Sequence, residues 1–148
     1  MSAMTQRTCG ACSLCCKLPY VPELRKPIDT WCKHAAPGCG GCLIYPKRPR
    51  SCRDYICGWL SSEPGVGDEW FPAQCHMMLT PRRFGMRVTV DPDYPDAWLR
   101  EPYYKQIRQW AQQKPVEIRI GWRWLWLNPD LPESEMPKIQ KWLEGGRA

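Results

Sequence analysis

No stretch of this sequence is long and apolar enough to span a membrane. A spanning helix needs about 20 apolar residues, whereas the longest apolar stretch, residues 121–127, is short and interrupted by Arg123. The first eight residues are polar and contain no apolar run of the kind found in secretion signals. These absences predict a cytoplasmic protein with no membrane partner. Structural disulfides are rare in the cytosol, so reduced, metal-binding cysteines are favoured over disulfides.

The sequence also lacks the motifs that mark common enzyme classes. It has no GxGxxG-type nucleotide loop, no carboxylate pair with a histidine and no nucleophile motif. No catalytic residue is therefore assigned from the sequence, and whether the chain is an enzyme is left open.

Acidic residues are scarce in the first 60 residues, which hold nine lysines and arginines but three acids. The whole formal net charge of +6 therefore belongs to this region. A nucleic-acid-binding patch is one explanation. Another is charge balance, because four thiolates around a divalent ion carry a net charge of about −2. The basic residues are interleaved with cysteines, which favours charge balance.

Cysteine is abundant: there are ten, nine of them before residue 58. Cys9, Cys12 and Cys15 have the C-x2-C-x2-C spacing of ferredoxin-type iron–sulfur sites, which also contains the C-x2-C half of a zinc site. Cys16 follows Cys15 directly, and adjacent side chains point apart. We therefore expect two neighbouring metal centres or one polynuclear centre, since Cys15 and Cys16 cannot easily bind the same small ion.

Further thiols follow along the chain, and eight thiolates would fill two four-coordinate sites. The candidate metal ligands are Cys9, Cys12, Cys15, Cys16, Cys32, Cys42, Cys52, Cys39, Cys57 and Cys75. His34 and His76 are weaker candidates. Soft thiolate ligands suit zinc and iron–sulfur clusters alike, so the expected cofactor is an iron–sulfur cluster or zinc. A redox couple at Cys39 and Cys42 is a minor alternative, because no strand is predicted before it and no helix after it.

These motifs resemble the CxxCxxCC cysteine-cluster family of bacterial proteins, described as zinc- or iron-chelating domains. After the leading CxxCxxCC run, a second block of the form C-x-I-Y-x-x-R-P-x-x-C-R matches at Cys42, Ile44, Tyr45, Arg48, Pro49, Cys52 and Arg53. The resemblance covers residues 9 to about 55. It implies seven metal ligands: Cys9, Cys12, Cys15, Cys16, Cys32, Cys42 and Cys52. An eighth ligand would come from Cys39, Cys57 or Cys75.

The resemblance implies a metal-binding accessory, carrier or maturation protein. Two alternatives stay open. A related cysteine arrangement accompanies flagellin lysine methylases, which implies a redox or methyl-transfer enzyme. The basic run at residues 45–53, together with the tryptophans, would suit a nucleic-acid-binding zinc module.

The periodicity of apolar residues predicts a small α+β single domain, with a metal-organised, loop-rich cysteine cluster, a short antiparallel sheet and two helices. Residues 1–60 form the cysteine-cluster region and residues 61–148 a Trp-rich α+β region, integrated with the first into one domain. Strands are predicted at residues 75–80, 84–90, 116–120 and 123–128, and helices within residues 96–113 and 132–146.

The chain has nine tryptophans, three of them at alternate positions: Trp122, Trp124 and Trp126. Alternation places them on one face of a strand. Such a stripe is more often part of a sheet core, so burial is expected. If exposed, it would bind a protein partner or stack on nucleic-acid bases. We expect a protein partner through the Trp-rich region, with nucleic acid less favoured.

Overall fold

A four-stranded mixed sheet forms the centre of the fold in the computed structural model, which describes residues 14–35, 42–61, 63, 65–127, 133–135, 137–139 and 141. The strands are β1 (Met77–Arg82), β2 (Gly85–Val90), β3 (Val116–Ile120) and β4 (Arg123–Leu127), in the order β1-β2-β3-β4. The helices are α1 (Arg50–Asp54), α2 (Pro72–Cys75) and α3 (Tyr103–Ala111). Short 3₁₀ turns lie at Leu14–Cys16, Pro22–Leu24, Tyr45–Lys47, Asp68–Trp70, Ala97–Leu99 and Glu133–Glu135.

The expected α+β class is confirmed. The β1–β2 and β3–β4 pairs are antiparallel, as expected, but the central β2–β3 pair is parallel. The reason is the connection: the chain leaves β2, passes through α3 and returns as β3, and such a crossover allows parallel pairing. The parallel strands meet closely at Gly85, where an added Cβ atom would collide with the carbonyl oxygen of Pro115.

The inner face of the sheet packs against α3. Alternate strand residues such as Leu79, Val88 and Ile118 line up across the sheet and are fully buried. Helix α3 places Ile107 and Ala111 against them, because positions four apart lie on one helix face. This hydrophobic core accounts for the regular secondary structure of residues 66–127.

The outer face of the sheet carries two cross-strand rows of mainly polar and aromatic residues. One row runs through Met78, Thr89, Arg119 and Trp124, and the other through Thr80, Arg87, Glu117 and Trp126. The cysteine-rich segment covers part of this face. Leu14 and Leu18 pack on Met78, so a small second core joins the segment to the sheet.

The tryptophan stripe is exposed, and the expectation of burial is wrong. Trp122 lies in the turn before β4 and is 79 % exposed, while Trp124 and Trp126 are 56 % and 51 % exposed on the outer face. The opposite face of β4 carries Leu125 and the fully buried Leu127 instead. Alternation correctly assigned the tryptophans and leucines of β4 to opposite faces. The buried face is the one that carries the smaller aliphatic residues.

The carboxyl-terminal helix predicted within residues 132–146 falls largely outside the described residues. Of the part that is described, residues 137–139 and 141 are helical. Among the residues the structure describes, no helix is long and apolar enough to cross a membrane.

Candidate metal centre

Cys15 and Cys16 end the short Leu14–Cys16 turn, which is anchored by the buried Leu14 side chain. The side chain of Cys16 hydrogen-bonds to the Cys15 thiol, and this bond, followed by burial, raises the pKa of Cys15 well above its usual range. The expectation of two neighbouring metal centres or one polynuclear centre stays a prediction.

Backbone hydrogen bonds link the segments that carry Cys32 and Cys42 to the segment that carries Cys16. The amide of Cys32 donates to the carbonyl of Cys16 over 2.7 Å, which ties the second cysteine segment to the first. Cys42 pairs with Ala35 in an isolated antiparallel bridge, and the neighbouring amide of Leu43 donates to the carbonyl of His34 over 2.8 Å. These bonds link the backbone around Cys16, Cys32 and Cys42.

Cys52 lies on α1, which begins directly after Pro49. Burial raises the pKa of the Cys52 thiol, and the negative charges of Cys15, Cys32 and Cys42 raise it further. Charge effects of this kind fall off with distance. The four thiols therefore lie in one region of the molecule, although Cys52 is separated from Cys15 by more than thirty residues of sequence.

Cys57 lies in the segment after α1. Burial raises the pKa of its thiol, and the charge of Cys15 adds to the effect. Its sulfur accepts a hydrogen bond from the amide of Leu60 at 3.4 Å. The sulfur of Cys32 likewise accepts one from the amide of His34 at 3.4 Å. Amide donors of this kind stabilise thiolates and are the usual outer partners of metal-bound sulfur.

Lys26 supplies a buried positive charge near the thiols, and sequence reasoning missed it. Its ammonium group is buried and donates to the carbonyls of Lys17, Pro27 and Thr30 over 2.7, 2.9 and 2.8 Å. Burial lowers the pKa of Lys26, while the negative charges of neighbouring groups, led by Cys32, oppose that shift. A nearby cation favours thiolates, but at Cys15, Cys52 and Cys57 the opposing effects prevail and the pKa is raised.

The basic residues of the second motif block differ in their contacts and exposure. Arg48 stacks on the Tyr45 ring at 3.8 Å, and its charge lowers the pKa of Cys15 against the larger opposing effects. Arg50 is exposed and pairs with Asp54 on α1, and Arg53 is exposed as well. Only Arg48 of these three is shown to act electrostatically on a cluster thiol.

Cys75 lies apart from the other described cysteines, in the core beneath the sheet. It is buried at the end of α2, where its thiol donates to the carbonyls of Trp70 and Met77. The neighbouring His76 stacks on Tyr94 with ring centroids 3.6 Å apart. The other candidates, Cys9, Cys12 and Cys39, lie outside the described residues.

Six of the seven described cysteines are partly buried, and the seventh, Cys75, is buried. None of the seven described cysteines is in a disulfide. Across the described ranges, no three cysteine, histidine or acidic side chains form a group that could hold a metal ion. The described thiols nevertheless suit zinc or iron–sulfur coordination by ligand type. Comparisons with protein-family models, curated proteins and solved structures found no match to this chain.

Proposed function

We propose that this chain is a cytoplasmic metal-binding protein that holds zinc or an iron–sulfur cluster through cysteine thiolates. The observation that carries the proposal is the effect of cysteines from separate stretches of chain on one another: the charges of Cys15, Cys32 and Cys42 all act on the Cys52 thiol. A backbone hydrogen bond also ties Cys32 to Cys16. The buried charge of Lys26 beside them would offset the negative charge of a metal–thiolate centre.

The proposed ligands are the clustered thiols together with those of the leading CxxCxxCC run. Cys9 and Cys12 precede Cys15 at the spacing that lets successive thiolates turn towards one centre. A centre held entirely by thiolates has no open position, so it would be structural or electron-carrying and would not activate water. An accessory, carrier or maturation protein is the role that such a centre supports, and a redox or methyl-transfer enzyme is the alternative.

Single substitutions test the ligand assignment. We expect Cys15→Ser and Cys52→Ser to lose bound metal and to unfold the cysteine-rich segment, because binding free energy at such sites is also folding free energy. Metal content and thermal melting would be measured on protein purified without oxygen. Cys75→Ala is the matched control: it removes a thiol from the core, so it should lower the melting temperature but keep the metal. A Cys15→Ser protein with unchanged metal content and melting temperature would refute the assignment.

The exposed tryptophans support a protein partner as a second part of the proposal. Trp126 is about half exposed on a sheet face whose central strands carry an ion pair between Arg87 and Glu117. Large aromatic side chains surrounded by polar residues are typical of protein-binding surfaces. A partner that co-purifies with the native chain should be lost in Trp126→Ala but kept in Phe84→Ala, which removes an exposed aromatic side chain from the β1–β2 turn. Binding to single-stranded nucleic acid that falls steeply with salt would favour the nucleic-acid alternative.

A further inference from the structure

A cleft of about 420 Å³ lies between the cysteine-rich segment and the outer face of the sheet. Its volume falls within the range typical of small-molecule sites, about 300–1,000 Å³. Leu18 and Tyr55 line it from the cysteine-rich side, and Thr80, Thr89 and Arg119 line it from the sheet. The apolar side chains of the segment pack on the sheet face at Met78, and the cleft lies beside that contact, over the polar rows.

Two arginines on neighbouring parallel strands form the charged wall of the cleft. Arg87 donates to the carboxylate of Glu117 over 3.0 Å, so these two charges largely neutralise each other. Arg119 is less completely paired. Its guanidinium donates to the carbonyl of Gly121 over 2.7 Å, and its other terminal nitrogen lies 4.0 Å from the carboxylate of Asp29. That separation is too long for a hydrogen bond.

The side chain of Arg119 is only 14 % exposed, so its charge is held largely out of water. The Oδ1 atom of Asp29 is itself buried without a hydrogen-bond partner among the described residues, which shows that the two groups do not satisfy each other. A guanidinium carries five N–H donors in a planar fork that matches a phosphate or carboxylate. Arg119 therefore has unused donors at the wall of a solvent-accessible cleft, where an anion would satisfy them.

An aromatic surface stands beside this anion-binding group. Trp124 is the cross-strand partner of Arg119, and both residues line the cleft. Trp122, in the preceding turn, lines it as well. Gly121 permits that turn by adopting a positive φ of 59°. A flat ring bound near the guanidinium would thus meet an indole face, and ring stacking of this kind contributes about 1–3 kcal/mol in nucleotide-binding proteins.

We infer that this cleft binds a small organic anion in which a phosphate or carboxylate is joined to a flat ring. The anionic group binds Arg119, with Arg87 nearby, and the ring stacks on Trp124. A nucleoside monophosphate and an aromatic carboxylic acid both have this chemistry. The site is separate from the thiolate ligands proposed above and does not require a bound metal.

Calorimetric titration of the full-length protein with AMP and with indole-3-acetate tests the inference and distinguishes the two sources of the anion. At least one of them should bind saturably. The fragments of AMP serve as ligand controls: adenosine lacks the anion and inorganic phosphate lacks the ring, so each should bind about tenfold more weakly or worse.

Two variants assign the binding to the named residues. Arg119→Met should weaken binding by about tenfold or more, since it removes charge-assisted hydrogen bonds. Trp124→Ala should weaken it to a similar extent, and this exposed residue can be replaced without disturbing the core. Trp126→Ala is the matched control, because it lies two residues along on the same face and outside the cleft lining.

The inference is overturned if neither probe binds at millimolar concentration. It is also overturned if a bound probe is held equally well by Trp124→Ala and the native chain, or if phosphate alone binds as tightly as AMP. Loss of affinity in Trp124→Ala with retention in Trp126→Ala supports it, whatever the folding state of Arg119→Met.

Discussion

The two halves of this molecule are held together in different ways. In residues 66–127, aliphatic and aromatic side chains bury one face of a four-stranded sheet against α3. In the described part of residues 14–61, the buried hydrophobic side chains are Leu14, Leu18 and Val21, and the longest helix has five residues. Two of the other buried residues in that part are lysines, Lys17 and Lys26.

This difference shows that the cysteine-rich half does not follow from hydrocarbon burial. Ordering each backbone residue costs about 1–2 kcal/mol of conformational entropy, and three buried aliphatic side chains offset little of that cost. Polar contacts organise the segment instead: Lys26 bridges three carbonyls, and a few long-range bonds attach the segment to the sheet. Metal–thiolate bonds are the further source of free energy that we propose.

The attachment of the two halves should be most sensitive to Lys17. Its ammonium donates to the buried carboxylate of Asp91 over 2.7 Å and also pairs with Asp93. Burial acts to lower the pKa of Lys17, but these hydrogen bonds outweigh it and the pKa is raised, so the lysine stays charged. We expect Lys17→Met to cost about 3–5 kcal/mol in the free energy of unfolding, because Asp91 is left buried and unpaired.

Chemical denaturation of Lys17→Met measures this loss. The double variant Lys17→Met/Asp91→Leu should recover most of it, since both charges are then removed together. A single variant as stable as the native chain would show that the buried ion pair does not join the two halves.

The sheet half should be sensitive to its core and insensitive to chelators. Ile118 is fully buried on the central strand β3, so Ile118→Ala should cost about 2–5 kcal/mol through lost burial and the cavity that remains. The same cost is expected with and without a chelator in the denaturation buffer. A cost that changes with chelation would mean that the metal centre and the sheet core are not energetically separate.

The smallest effect is expected at the hydrogen bond between Tyr55 and Thr80, whose side-chain oxygens lie 3.0 Å apart. Tyr55→Phe removes this bond but keeps the ring against the small second core. We expect a loss of about 0.5–1.5 kcal/mol in unfolding free energy, measured by denaturation, with Thr80→Val giving a similar value. A much larger loss would show that Tyr55 supports the cysteine cluster directly.

The strands were predictable from sequence because their patterns are local. Alternation placed β3 at residues 116–120, as the structure has it, and placed the other strands within two residues of their observed ends. The parallel pairing of β2 with β3 was missed, because alternation does not reveal which neighbour a strand returns to. The short helices α1 and α2 were missed as well, since four or five residues carry no helical period.

The face of β4 that is buried could not be read from the sequence. Both faces carry large apolar residues, and Trp124 and Trp126 were expected inside because such a stripe is more often part of a sheet core. Burial is decided by the neighbours: Leu125 pairs with Ile118 on the inner face, whereas Trp124 and Trp126 pair with the charged residues Arg119 and Glu117. Which face of β3 is buried depends in turn on its parallel pairing with β2, which lies far away in sequence.

The cysteine cluster was partly predictable. Spacing identified the thiols as candidate ligands, and that role stays a prediction. The structure places Cys15, Cys32 and Cys42 where their charges act on Cys52. Spacing did not reveal that Cys75 lies in the sheet core, because Cys75 simply follows the last motif along the chain. The buried lysines were also hidden, since nothing in the sequence separates them from surface lysines.

Metal and acid-labile sulfide content, with an absorption spectrum, measured on native protein purified without oxygen, tests thiolate metal binding most directly. Iron with matching sulfide and a brown colour would identify an iron–sulfur cluster. One or two zinc ions with no colour would identify a thiolate zinc scaffold. We expect one of these two results. Protein that contains neither metal, with its thiols oxidised in pairs, would contradict the proposal and indicate a disulfide-stabilised fold.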